Sequence, residues 1–101
     1  MKPNAITARV SDIASLAQRY RIRELALFGS ALREELPSGS DIDLLVVFEE
    51  DAHISLFDLV DLQSELERLF GRPVDLVEKA ALRNPFRRAE ILRTARTIYA
   101  A

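Results

Sequence analysis

Between Thr7 and Tyr20 the apolar residues Val10, Ile13, Leu16 and Ala17 recur at three- and four-residue spacing, which predicts an amphipathic helix closed by Arg19, Arg21 and Arg23. The pattern then changes period. Leu25 to Phe28 is a short apolar run that stops at Gly29 and predicts a strand from Glu24 to Phe28. Leu44 to Phe48 is apolar without interruption, as expected of a second strand covered on both sides, with its start placed at Asp41. Pro37, Ser38, Gly39 and Ser40 lie between the two strands and read as a loop. Helical spacing returns with Leu56, Leu59, Val60, Leu66, Leu69 and Phe70, opened by Ser55 and Asp58 at capping-box spacing and ended by Gly71. Val74, Leu76 and Val77 predict a third strand. Asn84 and Pro85 suit an N-cap and first helical position for a last helix through about Arg96, with Phe86, Ile91, Leu92 and Ala95 facing inward. Thr97, Ile98 and Tyr99 suit a short strand or a frayed end.

This order gives an α+β (α/β) domain: a small mixed sheet with helices packed against it. No internal repeat or low-complexity stretch interrupts it. A chain of 101 residues can build one hydrophobic core and not two, so a single domain is expected over residues 1–101. The net charge of -2 argues against general affinity for nucleic acid. Cysteine is absent, as are a signal peptide and a long apolar span, so a cytoplasmic location without disulfides or membrane attachment is expected.

Five acidic and small residues carry the candidate chemistry. Gly29 allows a sharp turn and close approach to a ligand, and Ser30 adds a hydroxyl and an amide that can hold phosphate oxygens. Ten residues later, Asp41 and Asp43 are two apart, so on a strand their side chains leave one face. Two carboxylates this close repel unless a divalent cation bridges them. Oxygen ligands beside a phosphate favour Mg²⁺, or Mn²⁺ in its place, and the lack of cysteine argues against zinc. Asp75, within Val74-Asp75-Leu76-Val77, would be costly to bury and so must face an open site or a partner. Beside the Asp41 and Asp43 strand it would complete a two-metal cluster and could accept a proton from an attacking hydroxyl. A lone Gly-Ser is ordinarily a turn, and a lone Asp-x-Asp a solvated strand end. Together, between two apolar runs, they favour a site for a nucleotide and metal. His53, isolated near a helix start, is read as a surface residue.

Gly-Ser, ten residues, Asp-x-Asp and a later strand aspartate, here Gly29, Ser30, Asp41, Asp43 and Asp75, resemble the minimal nucleotidyltransferase family of the DNA polymerase beta-like superfamily. The resemblance spans nearly the whole chain. It implies a polymerase beta-like fold in which the two acid-bearing strands run antiparallel. It also implies that Asp41 and Asp43 bind two Mg²⁺ ions, and that Asp75 binds the catalytic ion and activates the acceptor. Many members continue Arg-x-Arg-Gly after Gly-Ser. This chain keeps Arg33 as a candidate phosphate ligand and has Ala31 and Glu34 at the other two positions. Small members commonly act as antitoxins that transfer AMP from ATP to a tyrosine of a helical HEPN-type ribonuclease toxin. The resemblance implies that activity and partner here. A module that neutralises such a toxin by contact, and a transferase for a small molecule or RNA end, are the alternative readings. Arg83, Arg87, Arg88, Arg93 and Arg96 give the last helix a basic face, either solvated or suited to an acidic partner.

Overall fold

The computed structural model describes residues 10–29 and 41–101. Its elements in chain order are α1 (Val10–Arg19), β1 (Ile22–Phe28), β2 (Ile42–Phe48), α2 (Leu56–Phe70), β3 (Val74–Glu78), a 3₁₀ turn over Lys79–Ala81, α3 (Pro85–Thr94) and β4 (Arg96–Ala100). The four strands form one sheet in the order β3-β2-β1-β4. Both β1–β2 and β1–β4 are antiparallel, whereas β2–β3 is parallel, so the sheet is mixed as expected.

The parallel pairing corrects the antiparallel arrangement expected for the acid-bearing strands. Its cause is the connection: α2 is fifteen residues long and carries the chain back to the end where β2 began, and such a crossover returns the next strand in the same direction. Local sequence fixes both ends of that helix. Ser55 accepts from the Asp58 amide and Asp58 accepts from the Ser55 amide, closing the capping box; Gly71 ends the helix in the left-handed conformation with φ 71°. Asn84 likewise caps α3 by accepting from the amides of Phe86 and Arg87.

Alternation along the central strands splits the interior in two. On one face Leu25, Leu27, Ile42, Leu44, Val46 and Val74 pack against Ile13, Leu16 and Ala17 of α1 and Leu62, Leu66 and Phe70 of α2. On the other, Ala26, Phe28 and Leu45 meet Leu82 and Ile91. The inward stripe of α2 therefore runs through Leu62, absent from the expected set. Leu56 (73% exposed) and Val60 (56%) point to solvent, because they lie about a quarter and a third of a turn from the Leu62–Leu66 line. In α3 only Ile91 is buried. Phe86 (85% exposed) and Leu92 (39%) face out, since Phe86 is well over a third of a turn from Ile91, and the helix ends at Thr94. Thr97 to Tyr99 belong to a strand, paired with β1. β1 starts at Ile22, two residues before the expected point, where Ile22 enters the core. Residues 7–9 of the first expected helix lie outside the described residues, and the described helix ends at Arg19.

Candidate active site

Three sequence-distant positions meet at one end of the sheet. β1 ends at Phe28, whose register partner on β2 is Asp43; Asp43 in turn is the register partner of Asp75 on β3. Neighbouring partners in a sheet share a face. Phe28 and Leu45 belong to the interior cluster under α3, and Val77 packs against the same cluster, so Asp43 and Asp75 belong to the α3 side. Asp43 is half-buried there and Asp75 is exposed at the sheet's end. Asp41 is exposed and precedes β2, which starts at Ile42 and not at Asp41 as expected.

Gly29 leaves no room for a side chain at this end. Its φ is 65°, and a Cβ built on it would fall 2.6 Å from Asp43 Oδ2. Any larger residue would meet both the left-handed backbone penalty and the carboxylate. Leu25 to Phe28 thus run as a buried strand into a residue that must turn sharply, and Asp43 lies against that turn. Ser30 and Arg33, together with Ala31 and Glu34, fall outside the described residues.

The start of β3 is pinned from two sides. The Ile42 amide donates to the Pro73 carbonyl (2.9 Å), and the Val74 amide donates to Glu67 Oε2 on α2 (2.9 Å). Both bonds engage the Pro73–Val74 peptide just before Asp75 and help fix its register against Asp43. Glu67 had no role in the sequence reading. Its only signal was a carboxylate on α2 one turn before the helix end, and nothing local announces that such a group will cap a strand.

Among the described residues no three His, Cys, Asp or Glu side chains gather closely enough to cage a metal ion on their own. Mg²⁺ does not require such a cage, because it is usually held by one or two carboxylates with substrate phosphates and water completing the octahedron. A half-buried and an exposed carboxylate on adjacent strands, with exposed Asp41 just ahead of β2, fit that donor pattern. A cleft of about 480 Å³ lies elsewhere, between α1 and α2, lined by Asp12, Ser15, Leu16, Arg19, Glu65 and Leu69. It opens on the opposite side of the sheet and is not part of this site. On that side Arg19 and Tyr20 both donate to Glu65. The Tyr20 hydrogen bond, followed by Arg19, holds the Glu65 carboxyl below its ordinary range, while burial and then the Glu65 bond push the Tyr20 hydroxyl up to about 12.

The nucleotidyltransferase domain profile matches residues 13–98, which include all of β1, β2 and β3. The chain belongs to the minimal nucleotidyltransferase family. This minimal nucleotidyltransferase is 44% identical over 69 residues to the protein adenylyltransferase MntA of Thermococcus cleftensis, covering 68% of each chain. A solved structure provisionally named a minimal nucleotidyltransferase is 39% identical, with a TM-score of 0.70 over 86% of each chain. The fold is also similar to a chain from the tri-AMPylated Shewanella oneidensis HEPN toxin in complex with an MNT antitoxin. There the identity is 18% and the TM-score 0.62, over 91% of this chain and 70% of that one. The expected enzyme class and polymerase beta-like fold are thus those of its relatives.

Proposed function

We propose that this nucleotidyltransferase transfers AMP from ATP to a tyrosine hydroxyl of a HEPN-type ribonuclease toxin and so acts as its antitoxin. The observation that carries the reading is the alignment of Asp43 with Asp75 across β2 and β3, with the Asp43 carboxylate laid against Gly29, in a chain of this family. The name of the Thermococcus relative and the AMPylated toxin in the Shewanella complex support the acceptor class.

In this reading the Gly29 turn and Ser30 seat the triphosphate, with Arg33 neutralising its charge. Asp41 and Asp43 would hold two Mg²⁺, with Asp75 as a further ligand; when bound, the ions polarise the phosphate oxygens and offset charge on the leaving group. Asp75 takes the proton of the tyrosine hydroxyl. The phenolic oxygen then bonds to the α-phosphorus as the bond to the β-phosphate's bridging oxygen breaks, and pyrophosphate leaves with the electron pair. Positioning supplies much of the rate in transfers of this type.

The test is intact-mass spectrometry of a co-purified toxin after incubation with this protein, ATP and Mg²⁺. One or more added AMP masses, absent with Asp75→Asn, is the expected result. A stable complex with no added mass would instead identify an antitoxin that works by contact.

A further inference from the structure

Charge is distributed unevenly along this chain. Residues 83–96 hold five of the 14 basic residues and one of the 16 acidic ones, a local charge of +4, so that the rest of a chain of net -2 sums to -6. The one acid, Glu90, is bonded to Arg93 at 2.7 Å. Among the described residues Arg83, Arg87, Arg88 and Arg96 form no ion pair. Beside Arg83 and Arg87, both exposed, stands Phe86 with 85% of its surface in water. Arginine and aromatic residues together are the composition of interface anchors, and covering an exposed phenylalanine removes apolar surface from water.

The fold gives this patch a location. α3 packs through Leu82 and Ile91 onto Ala26, Phe28 and Leu45, the side of the sheet that carries Asp43 and Asp75. It passes the chain to β4 at the Gly29 end, because Arg96 is the register partner of Leu27. A segment lying along the outside of α3 therefore leads toward the acids.

We propose that the N-terminal end of α3, with Arg83 just ahead of its cap, is the docking surface for an acidic, amphipathic segment of the protein acceptor, with carboxylates on Arg83 and Arg87 and an apolar side chain on Phe86. This rests on the protein-acceptor reading above. Charge complementarity selects an acidic occupant. The size of the patch selects a peptide over a nucleic acid: a ten-residue helix is about 15 Å long, and a strand of RNA extending past it would cross a surface of net negative charge.

The probes are three fluorescein-labelled ligands measured by anisotropy: a short Glu- and Leu-rich peptide with one tyrosine, its counterpart with Lys in place of Glu, and a single-stranded RNA. The acidic peptide is expected to bind, and the other two are not. Arg83→Glu with Arg87→Glu, and separately Phe86→Ser, should each weaken it about tenfold or more while KM for ATP is unchanged. Equal binding by these variants, binding of RNA or the lysine peptide as tight as the acidic one, or a parallel rise in KM for ATP would each overturn the proposal. AMP transfer to the peptide tyrosine is scored separately. Selective binding without transfer leaves the docking surface standing and sinks the catalytic reading. Transfer indifferent to peptide charge and to the α3 variants does the reverse.

Discussion

The two faces of the sheet contrast in how completely they are closed. Beneath α1 and α2, Leu44, Val46, Leu62 and Leu66 are fully buried, and Glu65 ties the rim together through Arg19 and Tyr20. Beneath α3 the cluster is smaller, and beyond it the face opens onto Asp43 and Asp75. Consecutive residues of β2 serve the two sides in turn: Ile42 and Leu44 seal the core, and Asp43 between them meets the site. Cohesion concentrated on one face leaves the other able to present two aspartates side by side without carrying the core.

The largest effect is expected at the open face and should leave stability alone. Asp43→Ala should lower AMP transfer about a thousandfold, followed by intact mass over time, with little change in thermal melting. A large drop in melting temperature would show that Asp43 holds the fold. Next, Leu66→Ala should cost about 3 kcal/mol in urea unfolding and Ile91→Ala about 2 kcal/mol, because more of the core surrounds Leu66. Equal losses would erase the contrast. Gly29→Ala should cost about 1–2 kcal/mol and also slow transfer, since the new methyl must push the Asp43 carboxylate aside. Transfer at the wild-type rate would mean that the position of Asp43 is not critical.

The smallest effect belongs to the closed face. Tyr20→Phe should remove about 1 kcal/mol at neutral pH. The pH dependence follows from the two shifts. Glu65 lies below its ordinary value of 4.5, so its contribution is present above that pH and is lost as pH falls through the lowered value. Tyr20 is raised from 10.0 to about 12, so its contribution is present below pH 10 and is lost as pH rises toward 12. Unfolding measured across pH should show both slopes reduced in Tyr20→Phe, with transfer at neutral pH unchanged.

Features written in neighbouring residues were legible in the sequence. The Ser55–Asp58 capping box, the Gly71 stop and the Asn84–Pro85 start all form where spacing placed them, because each is satisfied within one turn. The candidate acids were found by spacing, and the structure brings Gly29, Asp43 and Asp75 to one end of the sheet. What was misread depends on distant partners. The direction of β3 against β2 is set by how α2 crosses the sheet, and the outward turn of Leu56, Val60 and Phe86 is set by which part of each helix the sheet reaches. A hydrophobic residue at helical spacing declares a face; it does not say whether the sheet extends beneath it.

The register of β3 on β2 also limits the errors available to the chain. Side chains alternate along a strand, so a slip of one residue would send Asp75 into the company of Leu44 and Leu62 and turn Val74 out to water. An uncompensated carboxylate in that interior costs several kcal/mol, and the lost burial of Val74 adds to it. Misaligned acids and a sound core are therefore mutually exclusive. The oily side of the sheet proofreads the acidic side, and a folded yet misregistered population has nowhere to accumulate.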